Sequence, residues 1–272
     1  MQIKVLSENT SISQTFHHEH GLSIYIETQE KKVLFDTGAS ELYLKNAQAL
    51  GVDISDIDYL VLSHGHYDHG GGLKAFLREN EKAEIFLHRL AFEKYYAAKK
   101  DGVEYIGLDQ ELKDNKRFVF TSDRFFLSKG LQVFSNVVQH FALPMSNKSL
   151  LMEKDGEKVA DTFSHEQSLI VEENGKTLLL TGCSHNGIRN ILHHFQELKG
   201  KMPDVSIGGF HLSTTRGSHD SLESIDELGR YLLETGVTFY TGHCTGQIPF
   251  ARLKEVMGEK IHYLPAGSVF TI

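Results

Sequence analysis

Residues 62 to 73 read "LSHGHYDHGGGL". The apolar run "YLVL" (59 to 62) stops at Ser63, after which His64, His66 and Asp68 occupy every second position, so an extended chain aims all three the same way. His69 follows as the chain turns, and Gly70 to Gly72 allow tight backbone entry into a helix. Three imidazoles and a carboxylate within six residues are costly to pack together unless they share a cation. Imidazole with few carboxylates suits Zn first, then Fe or Mn, rather than Mg or Ca, which prefer all-oxygen shells.

Composition supports a metal. Sixteen of the 272 residues are histidine, nearly 6%, against a usual share of about 2%. With 40% hydrophobic and 24% charged residues the chain can bury a real core. The net charge of -8, with no basic stripe, argues against nucleic acid as a partner. "MQIKVLSENTSI" has no apolar signal core, and no segment approaches the roughly 18 to 20 apolar residues that span a membrane, so a cytoplasmic protein without a membrane partner is expected. The two cysteines, Cys183 and Cys244, build no disulfide framework and suit a reducing compartment.

No linker or low-complexity tract divides the chain, which reads as one domain over 1–272. Strand-like runs recur at 3–6, 22–27, 32–36, 59–63, 84–88, 117–120, 131–134, 168–172, 177–182, 204–209, 237–242 and 268–272. Helical spacing of Ile188, Ile191, Leu192, Phe195 and Leu198, and of Leu222, Ile225, Leu228 and Leu232, predicts two amphipathic helices, with 41–51, 72–79 and 91–100 as further candidates. Many strands with interspersed helices imply an α/β or α+β layered fold.

A second loop matches the first in chemistry. "TGCSHNG" (181 to 187) follows the apolar run 177–180 and precedes a helix, a setting that suggests a nucleophile elbow at Ser184. The elbow needs G-x-S-x-G, and Asn186 stands where its second glycine belongs. Cys183 and His185, two apart and on one side of an extended trace, are metal-ligand types and both remain candidates. "GGFHL" (208 to 212) puts His211 after two glycines at a strand end, placed to contact substrate or give a proton to a leaving group. Asp36 of "FDTG" is read as an acceptor of backbone N–H groups that orients ligand histidines. The "HHEH" run (17 to 20) reads as a solvated loop, at most on the rim of a site.

Taken together, "FDTG", "LSHGHYDHGGGL", "EHGLSIYIE", "TGCSHNGIRN", "GGFHL" and "TGHCTG" resemble the metallo-β-lactamase fold, and within it the branch of the dihydropterin-methyl-ribofuranosylaminobenzene phosphate synthase. The resemblance implies a four-layer αββα sandwich with two divalent metal ions. It assigns His64 and His66 to one ion and Asp68 and His69 to the other, with His165 as third histidine of the first and His243 as the last ligand. A bridging acid in a "TGD" context is replaced here by Cys183. Asp68 and His211 are the candidate catalytic residues. Segment 89–160 would cover the site and set substrate choice, with Phe92, Tyr95, Tyr96 and Tyr105 available to stack on a flat ring.

The generic outcome for such a site is hydrolysis of an ester, phosphodiester or lactone. The branch implies instead displacement of diphosphate from a pterin-methyl carbon, so a phosphorylated, cyclic or pterin-like small molecule is the expected partner. A non-catalytic metal sensor and a serine or cysteine hydrolase are the readings from other classes.

Overall fold

Alternation of side chains along the strands decides the layers. Ile24 and Ile26, Val33 and Phe35, and Leu178 and Leu180 enter one buried cluster, while the residues between them, Tyr25, Leu34 and Leu179, enter others. A strand buried on both faces must lie between two layers. The computed structural model describes residues 1–214 and 217–272. It holds two seven-stranded sheets packed face to face through Ile3, Val5, Val61, Phe86, Leu169, Val171 and Ile207.

The first sheet runs in spatial order Val269–Thr271, Gln2–Ser7, Ser23–Glu27, Lys32–Phe35, Tyr59–Val61, Glu84–His88 and Phe118–Thr121. The second runs Ile261–Tyr263, Thr238–Thr241, Val205–Ile207, Lys176–Leu180, Ser168–Glu173, Leu131–Phe134 and Arg124–Ser128. Helices Leu42–Ala49 and Leu73–Glu79 cover the outer face of the first sheet through Tyr43, Ala47, Leu73 and Phe76. Ile188–Lys199, Leu222–Glu234 and Gln247–Met257 cover the second through Ile191, Phe195, Ile225, Leu232 and Leu253. The result is the expected αββα sandwich.

Strands Lys32–Phe35, Tyr59–Val61, Glu84–His88 and Phe118–Thr121 are parallel in the first sheet, as are the four from Lys176–Leu180 to Ile261–Tyr263 in the second. Ligand crevices form beyond the carboxyl ends of such strands. Among the described residues no helix is long and apolar enough to cross a membrane.

The helix expected over 91–100 is a strand. Tyr95–Lys99 pairs antiparallel with Leu150–Lys154 and with Gly102–Tyr105 in a separate four-stranded sheet completed by Glu157–Ala160. Lys, Glu and Ala favour a helix in isolation, but pairing on both edges overrides that preference. Burial falls on Tyr95 and Ala97, a period of two, over a small cluster with Ile106, Leu150 and Phe163. The turn is Lys100-Asp101, just past that strand, with Lys99 paired to Gly102 at φ +140°.

Candidate metal centre

Four strand ends converge on one crevice. His64, His66, Asp68 and His69 follow Tyr59–Val61, Cys183 and His185 follow Lys176–Leu180, His211 follows Val205–Ile207, and His243 follows Thr238–Thr241. Asp36, Ser184, His211 and His243 all have φ between 50° and 61°, a region non-glycine residues seldom occupy, so the loops are held in strained turns. Gly182 lets the two principal loops touch. A Cβ there would lie 2.2 Å from the Ser63 hydroxyl and 3.0 Å from His64 Nδ1.

The polar partners fix the tautomer of each ring. Asp36 accepts the Ser63 N–H (2.7 Å), the Ser63 hydroxyl (2.7 Å) and His69 Nδ1–H (2.6 Å). Because the Ser63 hydrogen is committed to Asp36, His64 Nδ1 at 2.8 Å must donate to the Ser63 oxygen. Asn147 donates Nδ2–H to the His185 carbonyl (2.7 Å), so its Oδ1 accepts His185 Nδ1–H at 3.0 Å. Asn9 Oδ1 accepts His243 Nδ1–H at 2.8 Å. In all four rings the hydrogen sits on Nδ1 and a lone pair is left on Nε2, the state that binds metal.

Those lone pairs face one another. His69 Nε2 and His243 Nε2 are 3.2 Å apart, with Asp68 Oδ2 3.3 Å from His243 Nε2 and Cys183 Sγ 3.1 Å from His69 Nε2. His64 Nε2, His66 Nε2 and His185 Nε2 are buried without any hydrogen-bond partner. The donor atoms of Asp68, His69, Cys183 and His243 lie within 4.8 Å of one another, as do those of His64, Cys183 and His185, and those of His64, His66 and Asp68. Facing lone pairs require a positive centre between them, either a shared proton or a cation. The residues therefore fit divalent metal, with Cys183 common to two of these three groups.

Electrostatics agree. Burial pushes the imidazoles of His64 and His185 well below their ordinary value, His243 down to about 4 and His211 down to about 3. Burial works against the charge on Asp68, yet His69, His20 and His243 hold its carboxyl well below the usual range. Burial also opposes charge on His69, but Asp36 and Asp68 raise it. Burial, then Cys244, pushes the Cys183 thiol well up.

His165 differs. Its Nδ1 accepts the Gly65 N–H at 2.9 Å, so its hydrogen is on Nε2, 3.2 Å from Asp161 Oδ2. Both nitrogens are engaged, and the ring stacks on Tyr95 at 3.8 Å. No motif marks Asp161, which directly follows segment 89–160. Glu166, also unremarked, is buried and clamps the His185 loop by accepting His185 N–H (2.6 Å), Asn186 N–H (2.9 Å) and the Asn186 amide (2.8 Å). His20, read as loop, reaches Asp68 Oδ2 at 3.3 Å. His17 and His18 stay exposed.

A cavity of about 280 Å³ opens over the centre. His66, Asp68, Cys183, His185 and His211 line its floor, and Tyr67, Ala97, Ala98, Ile106 and Leu150 its apolar walls, with Lys99, Glu104 and the hydroxyls of Ser146, Ser149, Ser213, Thr214 and Ser218. Both ring nitrogens of His211 are buried and without partner. The aromatics expected to stack on substrate do not line it. Phe92 packs in the core, Tyr95 on His165, and Tyr96 against Tyr105 edge-on at 5.6 Å.

A layered sandwich with an imidazole-rich centre at the ends of its parallel strands defines a class of metalloprotein. The chain belongs to the metallo-β-lactamase superfamily, whose family model matches residues 19–243. It is 29% identical to the 7,8-dihydropterin-6-methyl-4-(β-D-ribofuranosyl)-aminobenzene-5'-phosphate synthase of Methanocaldococcus jannaschii, over 99% of this chain and 96% of that one. It is 31% identical to the MJ0448 protein of the same organism, over 93% and 94%. Among solved structures, Tm1679, a metal-dependent hydrolase of the β-lactamase superfamily, superposes with a TM-score of 0.85 at 31% identity, over 100% of this chain and 99% of that one.

Proposed function

We propose that the protein is a dinuclear metalloenzyme that displaces diphosphate from a small phosphorylated molecule. The observation that carries the metal reading is the set of Nε2 lone pairs, on His64, His69, His185 and His243, each bared by a fixed Nδ1–H donor and turned into one buried centre. His64, His66 and His185 would hold one ion, and Asp68, His69 and His243 the other, with the Cys183 sulfur between. Zn suits this nitrogen- and sulfur-rich set, ahead of Fe or Mn. Bound there, the ions would supply Lewis-acid charge to phosphate oxygens and to the departing group.

His211 bears on the reaction type. Its imidazole is kept neutral, so it serves as an N–H donor to a phosphate oxygen more readily than as an acid for an alkoxide. Diphosphate leaves without being protonated. The carbon–oxygen bond to diphosphate breaks, a bond from that carbon to the acceptor forms, and the acceptor's proton passes to solvent. The likeness to the synthase along nearly the whole chain supports the same reading. Lys99 and the wall hydroxyls suit an anionic substrate, and Tyr67, about 43% exposed, is the aromatic surface on offer.

The likeness to Tm1679, described as a hydrolase, favours a second reading, hydrolysis of a phosphodiester, lactone or ester. Diphosphate release separates them. Protein loaded with Zn or Mn is given a heteroaromatic methyl diphosphate with and without an arylamine acceptor. Release that depends on acceptor supports transfer, and equal release without it overturns transfer in favour of hydrolysis.

A further inference from the structure

We propose that Asn9 is a positioning residue that fixes opposite tautomers in two histidines, baring Nε2 of His243 toward the second ion and turning Nε2–H of His20 onto Asp68. This rests on reading the cluster as a metal centre. Neither Asn9 nor His20 belongs to the ligand sets above, and Asn9 lies 234 residues from His243 in the chain.

The argument turns on groups whose polarity cannot change. The Gly21 N–H points at Asn9 Oδ1 (3.3 Å), and the His243 carbonyl oxygen lies 3.4 Å from Asn9 Nδ2. An N–H can only donate and a carbonyl can only accept, so these two backbone groups set which end of the amide is oxygen. Oδ1 then faces His243 Nδ1 at 2.8 Å, which must carry hydrogen. Nδ2 faces His20 Nδ1 at 3.2 Å, which must be bare. The hydrogen of neutral His20 is therefore on Nε2, 3.3 Å from Asp68 Oδ2.

One amide thus imposes two states. His243 turns a lone pair toward the centre, where its Nε2 lies 3.3 Å from the same Oδ2 of Asp68. His20 approaches that oxygen with a hydrogen, anchoring the carboxylate from the rim side. His20 and His243 lie with ring centroids 4.8 Å apart, so the pair packs as a unit on Asn9. A merely space-filling Asn9 would be indifferent to the tautomers. Here a swap would aim a hydrogen of His243 at the ion and a lone pair of His20 at a carboxylate.

The tautomers are read directly from long-range 1H–15N spectra of the metal-free, 15N-histidine-labelled protein, without any variant. The expected pattern is Nδ1–H for His243 and Nε2–H for His20. In Asn9→Asp the acceptor for His243 is kept while the donor to His20 becomes an acceptor. His243 should then be unchanged and His20 should gain a hydrogen on Nδ1. In Co(II) titrations, Asn9→Ala and His20→Ala should each lose about 10- to 100-fold in affinity for one of two ions, the range for removing a partner of a ligand. His20→Gln, whose amide N–H can reach a similar place, should recover most of it.

The proposal falls if the wild type shows the opposite tautomer on either ring, or if Asn9→Ala and His20→Ala bind both ions as tightly as wild type. A wild type that binds no metal sinks the metal reading instead, while the spectrum still decides the hydrogen positions.

Discussion

His185 and His165 both lie against the HGHYDH loop, and only one has a free donor atom. Replacing each by alanine should therefore give opposite results. For His185→Ala the loss is a ligand. An apparent binding free energy of about 10–16 kcal/mol for a four-ligand zinc site divides into roughly 3–4 kcal/mol per ligand, or about 10²- to 10³-fold in affinity. For His165→Ala the loss is structural, because the Gly65 N–H and Asp161 Oδ2 each lose a buried partner. At about 1–3 kcal/mol per orphaned group the fold loses roughly 2–6 kcal/mol. At about 2–4 °C per kcal/mol, the melting midpoint drops by roughly 5–20 °C. The assay is metal content per chain after dialysis against a metal buffer, beside a thermal melt of the metal-free protein. His165→Ala should keep two metals and melt early, and His185→Ala should keep one. If His165→Ala loses an ion while His185→Ala keeps both, the tautomer reasoning is refuted and His165 is the third ligand.

The remaining predictions test the centre from other sides. Asp36→Asn removes the acceptor of His69 Nδ1–H and should weaken one ion about 10- to 100-fold, measured by competition with a chelating dye. Metal loading at pH 7 should release a proton, because the Cys183 thiol is shifted well upward and gives up its hydrogen on ligating. Calorimetry in buffers of differing ionisation enthalpy should read about one proton per chain, and none if Cys183 does not ligate. Ser184→Ala loses only a 3.0 Å bond to the Thr181 hydroxyl, so activity should stay near wild type while a chelator abolishes it. Survival of activity in chelator, with loss in Ser184→Ala, would restore the nucleophile.

The layers were legible because they follow from local pattern. Ile24 and Ile26 against Tyr25, or Leu178 and Leu180 against Leu179, show period-two hydrophobicity that any neighbouring sheet must satisfy. The segment 95–105 was not, since Tyr95–Lys99 is a strand only through its pairing with Leu150–Lys154, some 50 residues later in the chain, and with Gly102–Tyr105. Its aromatics were misplaced for the same reason. Once Tyr95 turns inward to pack on His165, this segment gives the cavity wall Ala97, Ala98, Lys99 and Ile106 rather than its rings.

The candidate ligand atoms and their supports differ in the same way. His64, His66, Asp68 and His69 are adjacent in sequence, and their spacing alone implies convergence. What makes a histidine a ligand rather than a structural ring is which nitrogen keeps the hydrogen, and that is decided by Asp36, Asn9 and Asn147, which lie 33, 234 and 38 residues from the rings they set. An asparagine carries no motif of its own, and its amide can serve either ring nitrogen. Only a backbone group of fixed polarity on the amide resolves the choice, such as the His185 carbonyl on Asn147 Nδ2 or the Gly21 N–H on Asn9 Oδ1. His165 shows the consequence. It stands where a ligand is expected by order along the chain and its donor atoms lie near those of His66 and Asp161, but the Gly65 N–H takes its Nδ1 lone pair and Asp161 its hydrogen, whereas His185 Nε2 has no partner.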